Sequence, residues 1–136
     1  MHQKSLNEVL DILKARGLRP TRQRRLLVKT LFGKGDRHVT ADSLFQELRM
    51  AGTGISRATV YNTLNLFKEC GLLREVIIAS GHAHFDTNLL PHYHFFHEKS
   101  GHLEDIPCES LKISPIPSAP EGARIRQVDI VVRLEA

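Results

Sequence analysis

The sequence predicts an α+β protein in which a helical, basic first half is followed by a shorter, strand-rich second half. Three observations predict it: helical periodicity in four segments between residues 5 and 70, alternating apolar patterns after residue 72, and a charge that changes sign along the chain. Residues 1–80 carry fourteen Lys and Arg against seven Asp and Glu, whereas residues 81–136 carry five against eight. A length of 136 residues with 41% apolar and 25% charged residues suits one globular domain or two small ones.

The four predicted helices are marked by apolar residues at helical spacing and by start and stop signals. Thr21, Thr40 and Ser56 are the predicted N-caps of the second, third and fourth helices, because their side-chain oxygens accept from free backbone N–H groups. The first helix ends at Gly17 and the third at Gly52. The positions predicted to face inward are Leu6, Val9, Leu10 and Leu13 in the first helix, Leu26, Leu27, Thr30 and Leu31 in the second, Leu44, Phe45 and Leu48 in the third, and Val60, Leu64 and Phe67 in the fourth.

The fourth helix, SRATVYNTLNLFKECG, has a polar outer face whose side chains suit DNA. Arg and Asn match base edges in the major groove, Tyr contacts a thymine methyl group, and Thr59 near the helix start suits a phosphate. The outer-face residues are Arg57, Tyr61, Asn62, Asn65 and Lys68. A predicted hairpin around Ala79-Ser80-Gly81 follows this helix. The pattern and the basic charge together predict a winged helix-turn-helix that binds double-stranded DNA.

Several other classes of protein are disfavoured. Cys70 and Cys108 are the two cysteines of the chain, so neither a disulfide framework nor a CxxC zinc site can form. No run of about 18 apolar residues occurs, and the first residues lack the features of a signal peptide. No nucleophile elbow or phosphate-binding loop is present. We therefore expect a cytoplasmic protein without a membrane span.

Six of the eight histidines lie between residues 82 and 102, which predicts a metal site. In PHYHFFH, strand alternation places His92 and His94 on one face and His97 on the other. It likewise places His82, His84 and Asp86 on one face of the preceding strand. An HxH pair with nearby carboxylates and no thiolate suits divalent iron, manganese or zinc. The weaker candidate ligands in this region are His82, His97 and His102.

An enzymatic alternative comes from the same stretch. HYHFFHE contains the H-x-H-x3-E ligand spacing of cupin barrels, with Glu98 as third ligand. A cupin needs about eight strands in a double-sheet jelly roll, and about 50 residues remain after the helical half. We therefore expect no enzyme, with a small cupin-like metalloenzyme as the alternative from a different class.

Four segments carry a family resemblance: GLRPTRQRRLLVKTLF, HVTADSLFQEL, SRATVYNTLNLFKECGLL and PHYHFFHEKSGHLEDI. Together they resemble the ferric uptake regulator (Fur) superfamily, and within it the iron response regulators (Irr) of alpha-proteobacteria. The resemblance implies a homodimeric transcription regulator with a winged-helix DNA-binding domain at residues 1–82. It also implies a small α/β domain for dimerisation and metal or haem sensing at residues 83–136.

The resemblance also implies functional residues. The family's regulatory metal site falls on His38, Asp86, His92, His94 and Asp105. On the DNA side, the matching positions are Arg19 for the minor groove and Tyr61 for the major groove, with Arg57 and Asn62 beside it. An Irr-type protein would control iron-uptake, iron-storage and haem-synthesis genes, binding DNA when iron is scarce and releasing it with haem. A metal-activated or peroxide-sensing repressor is the alternative within the family.

The chain departs from the family pattern in three places. The two CxxC pairs that hold structural zinc in most members are absent, and His97 and Ser100 stand at the first pair. The Cys-Pro haem motif of some Irr proteins is also absent, so haem would use His92 and His94 as axial ligands. Residues 107–124 are rich in Pro and Ser where the family usually has a helix.

Overall fold

The structure is a computed structural model that describes residues 4–79 and 82–135, apart from the side chains of Ala79 and His82. The chain divides into two compact units, Met1–Leu89 and Leu90–Ala136. The boundary lies beyond the one predicted after residue 82, because the strand that begins at His82 pairs with two strands of the first unit.

The first unit contains four α-helices. They are α1 (Leu6–Ala15), α2 (Arg22–Phe32), α3 (Ala41–Met50) and α4 (Arg57–Glu69). Thr21, Thr40 and Ser56 cap α2, α3 and α4 as predicted, each accepting a hydrogen bond from the backbone N–H three residues later. None of the helices in residues 4–79 and 82–135 combines the length and apolar character needed to cross a bilayer.

The helices pack around one apolar core. In α4 the predicted inner residues Val60, Leu64 and Phe67 are all fully buried. The opposite face of this helix therefore points away from the core. The prediction for α2 was partly wrong. Val28 and Phe32 are also buried, since α2 contacts both α1 and α4, while Leu26 is only partly buried.

An antiparallel sheet completes the first unit. Its strands are β1 (His38–Thr40), β2 (Arg74–Ala79) and β3 (His82–Asp86), in the order β1-β3-β2. The predicted hairpin strands are present as β2 and β3, which pair antiparallel, and residues 80 and 81 lie outside the described residues. Strand β1 was not predicted, since three residues give too short a pattern. It forms through pairing with β3, which places His38 opposite Asp86.

The second unit is built on a three-stranded sheet. Its strands are β4 (His92–His97), β5 (His102–Pro107) and β6 (Val131–Leu134), in the order β5-β4-β6. Strand β4 pairs antiparallel with β5 and parallel with β6. Between β5 and β6 the described chain forms a short 3-10 helix, Cys108–Ser110, and then runs without regular structure, as the prolines predict.

Candidate metal centre and DNA-binding face

His38 and Asp86 form a pair on the first sheet. The antiparallel register places them opposite each other, with His38 Nε2 3.3 Å from Asp86 Oδ2. The Asp86 side chain is 1% exposed, and its Oδ1 accepts a hydrogen bond of 2.9 Å from the Asn88 backbone N–H. A buried carboxylate is costly unless it is paired. This pair therefore supplies one imidazole nitrogen and one anionic oxygen in a largely desolvated position.

Arg37 connects this pair to the helices of the same unit. Its backbone N–H donates to Thr87 Oγ1 at 2.9 Å, and the Thr87 N–H donates to the Arg37 carbonyl at 3.1 Å. Its guanidinium makes two hydrogen bonds to Glu47 on α3, at 3.1 and 2.7 Å, and one of 3.0 Å to the Thr30 carbonyl on α2. The Arg37 hydrogen bond holds the pKa of Glu47 below its ordinary value of 4.5. Sequence reasoning missed Arg37, because no motif joins these four residues.

His92, His94 and Asp105 form a second group, within the sheet of the second unit. His94 lies opposite Asp105 in the β4–β5 register, and both imidazoles approach one carboxylate oxygen. His92 Nε2 lies 3.4 Å and His94 Nε2 3.6 Å from Asp105 Oδ1. The two rings meet edge to face at 4.6 Å, and both side chains are buried.

The proton position on His92 follows from its other nitrogen. His92 Nδ1 lies 2.6 Å from the Leu90 carbonyl, which can only accept a hydrogen bond. Nδ1 therefore carries a hydrogen, and Nε2 is the nitrogen that faces Asp105. A metal-ligating histidine is typically oriented in this way by a carbonyl at its second nitrogen.

The remaining histidines of the cluster are placed differently. His97 lies on the other face of β4 from His92 and His94, where its Nε2 is 3.0 Å from Glu104 Oε1. Its ring lies 5.5 Å from that of His102 across the strand pair. His84 is buried in the first unit, and the side chain of His82 is outside the described residues.

Glu98 does not extend the second group. It lies in the turn after β4, where it is exposed and 3.9 Å from Arg133. The described strands form two separate three-stranded sheets, and a cupin jelly roll needs about eight strands.

Four of the five predicted DNA-binding residues lie on α4, and Arg19 lies between α1 and α2. Tyr61 is 56% exposed and Asn62 is exposed next to it, while Arg19 is exposed in the connection between α1 and α2. Thr59 is half-buried, and its Oγ1 accepts a hydrogen bond of 2.9 Å from the Ser56 hydroxyl. Arg57 is paired with Asp42 at the start of α3. Among the predicted residues, Tyr61, Asn62 and Arg19 are thus presented outward, whereas Thr59 and Arg57 are engaged locally.

The sequence matches the model of the ferric uptake regulator family over residues 15–133. The chain belongs to the ferric uptake regulator family. The peroxide-responsive repressor PerR of Staphylococcus epidermidis is 36% identical over 101 residues, covering 74% of this chain and 67% of that protein. PerR of Staphylococcus aureus strain Mu50 is 34% identical over 106 residues, covering 78% and 71%.

Solved structures of ferric uptake regulators share the fold. The Vibrio cholerae protein has a TM-score of 0.72 at 19% identity, covering 93% of this chain and 98% of that one. The Pseudomonas aeruginosa protein with manganese has a TM-score of 0.66 at 22% identity, covering 93% and 96%. The Francisella tularensis protein with iron has a TM-score of 0.69 at 19% identity, covering 88% and 92%.

Membership of the ferric uptake regulator family decides between the function classes. Proteins of this family are metal-responsive transcription regulators that bind DNA and act as dimers, and they are not enzymes. The α+β expectation, with a helical DNA-binding domain before a small sheet-containing domain, is confirmed. The cupin-like alternative is wrong. The finer resemblance to Irr is not singled out by these relatives, which are named as PerR and Fur proteins.

Proposed function

We propose that the protein is a cytoplasmic, homodimeric repressor whose sequence-specific binding to double-stranded DNA depends on a divalent iron or manganese ion. The proposed ligands are the residues of the two groups described above: His38, Asp86, His92, His94 and Asp105. The proposed DNA-binding residues are Arg19, Tyr61, Asn62, Arg57 and Thr59.

The orientation of His92 is the observation that carries the metal proposal. With Nδ1 donating to the Leu90 carbonyl, Nε2 of His92 faces the Asp105 carboxylate at 3.4 Å. A neutral imidazole in this tautomer has its lone pair at Nε2, so a cation beside the carboxylate would be bound by both groups. His94 Nε2, at 3.6 Å from the same oxygen, would share that cation.

The donor chemistry favours one shared ion over two separate ones. The His38–Asp86 pair offers one nitrogen and one carboxylate, and the His92–His94–Asp105 group offers two nitrogens and one carboxylate. Neither set alone fills the coordination shell of iron or manganese, whereas five nitrogen and oxygen ligands without thiolate suit these ions. Zinc, which favours four ligands in structural sites, is a weaker candidate.

Ligands from both units give the ion a regulatory role. A bound ion supplies one positive centre that His38 and Asp86 of the first unit share with the three residues of the second. Sharing it would fix the orientation of the two units and hence the spacing of the two recognition helices in a dimer. Operators with two half-sites demand such a spacing, so metal binding and DNA binding become thermodynamically linked.

Haem regulation of the Irr type is the finer alternative. It would make the protein a regulator of iron-uptake, iron-storage and haem-synthesis genes. His92 is 5% exposed and His94 is 2% exposed, which leaves little room for a macrocycle at either Nε2. We therefore favour the bare ion. The relatives named as repressors support the repressor role, and the solved ferric uptake regulators with manganese and with iron support the metal-dependent form of the proposal.

A DNA-binding titration tests these alternatives. Operator duplexes are first selected from a random library with manganese-loaded protein, and fluorescence anisotropy is then measured without metal, with Mn²⁺, with anaerobic Fe²⁺ and with haem. We expect tight binding with either ion and at least tenfold weaker binding without metal. Tight binding without metal that haem abolishes would overturn the proposal in favour of the Irr-type mechanism.

Paired variants assign the ion to its ligands. His92→Ala with His94→Ala should remove the metal dependence of DNA binding. His97→Ala is the matched control, because it removes an imidazole from the other face of the same strand. An equal loss in the control would place the metal elsewhere.

A further inference from the structure

The guanidinium of Arg57, in the first turn of α4, is held on two sides within the DNA-binding unit. It forms an ion pair with Asp42, in the first turn of α3. It also lies over the Phe45 ring, with Cζ 4.3 Å from the ring centroid. Stacking on an aromatic face adds cation–π attraction and limits the directions in which the guanidinium can point.

The pair stands where solvent and a polyanion can reach it. The Arg57 side chain is 59% exposed and that of Asp42 is 70% exposed. Exposed ion pairs contribute little stability, so a phosphate can exchange for the carboxylate. Asp42 is thus an internal substitute for a phosphate group, in a unit whose charge is otherwise strongly positive.

We propose that Asp42 sets DNA specificity by competing with backbone phosphates for Arg57. In loose, non-specific complexes Arg57 stays with Asp42 and contributes no phosphate contact. When α4 docks closely on its operator, Arg57 exchanges Asp42 for the DNA. Because specificity is a difference between two affinities, weakening the non-specific complex raises it. This inference rests on the proposed DNA-binding role of α4.

The test uses Asp42→Asn, which removes the charge and keeps the shape. The N-cap of α3 is Thr40, so the capping hydrogen bonds remain available. Affinity for a labelled duplex of random sequence is measured by anisotropy against salt concentration. Freeing Arg57 should steepen the log–log salt dependence by up to about 0.9 per protomer and raise non-specific affinity by roughly two- to fivefold per protomer, the size of an exposed ion pair. Affinity for the selected operator should rise less.

A double-mutant cycle separates exchange of Arg57 from simple repulsion by Asp42. In an Arg57→Ala background, Asp42→Asn should have little further effect on non-specific binding. The matched control is Asp11→Asn, which removes an exposed carboxylate from α1 and makes the same change in net charge.

Each outcome has a defined meaning. An unchanged salt dependence in Asp42→Asn, an equal effect of Asp11→Asn, or a persistent effect in the Arg57→Ala background would overturn the competition. In each of these three cases, the proposed function would still hold if the wild-type protein binds the selected operator. Wild-type protein that binds no DNA would overturn both.

Discussion

Replacing Asp86 by Asn tests the shared metal site most directly. Asn has the same shape and can still accept the 2.9 Å hydrogen bond from the Asn88 N–H. Without metal, we expect the free energy of unfolding to change by about 1–3 kcal/mol, because the variant keeps this hydrogen bond but loses the contact of the carboxylate with His38. The variant lacks the buried carboxylate that is the proposed ligand, so its affinity for the metal ion should be lower than that of the wild-type protein.

The expected size of the effect follows from linkage. A ligand present at a hundred times its Kd stabilises the folded state by about 2.7 kcal/mol. Loss of a residue that only orients a metal ligand weakens metal binding by roughly 10–100-fold, and we take 100-fold for Asp86, which is itself a proposed ligand. The stabilisation at the same metal concentration then falls to about 0.4 kcal/mol. For domains of this size, the lost stabilisation corresponds to roughly 10 °C in Tm.

Thermal unfolding followed by circular dichroism, with and without Mn²⁺, measures the difference. Glu75→Gln is the matched control, since it makes the same chemical change on β2, where the carboxylate pairs with Lys68 at 2.7 Å. An Asp86→Asn protein that keeps the full metal-induced rise in Tm would refute the assignment of Asp86. If the two units unfold separately and metal shifts only the second one in wild-type protein, the ion is not shared between them.

Three further predictions concern the rest of the chain. Tyr61→Ala should abolish the preference for the selected operator over random duplex in anisotropy measurements. It should change the free energy of unfolding by no more than about 0.5 kcal/mol, because Tyr61 is 56% exposed. A retained preference would show that other residues contact the bases. Leu64→Ala should lower the free energy of unfolding by about 2–5 kcal/mol in urea titrations, because Leu64 is fully buried; a loss below about 1 kcal/mol would contradict a tightly packed core. Glu47→Gln should flatten the acid limb of the stability curve. The lowered pKa of Glu47 gives stability that is present above its ordinary value of 4.5 and is lost as pH falls through the lower folded value. Solvent screening keeps this effect small, and an unchanged acid limb would show that the Arg37 contact contributes no stability.

The helical half was predictable because its signals are local. An N-cap such as Thr21 or Ser56 acts on a backbone N–H three residues away, and the inner face of α4 repeats every three or four residues. The face of α2 was less predictable. The set of α2 residues that are buried depends on where α1 and α4 contact this helix, and the sequence of α2 does not contain that information.

The histidine strand shows where local prediction stops. Alternation alone separated His92 and His94 from His97, and the structure has them on opposite faces of β4. Alternation could not show that Asp105 on β5 lies opposite His94, which depends on the register between strands. Nor could it show which nitrogen of His92 is protonated, because that depends on the Leu90 carbonyl.

The sequence by itself determined the helices, their caps, the charge division and the identity of the histidine pair, because each depends on neighbours within about one helical turn or strand. Tertiary structure brought His38 opposite Asp86, which the sequence had indicated only through the family resemblance. It alone decided that Arg37 joins their strands to α2 and α3, and that Asp42 holds Arg57. These contacts join residues that lie in, or directly beside, different helices and strands. They form because the sheet register and the packing of the helices determine which side chains meet. The sequence within one helix or strand encodes neither of these.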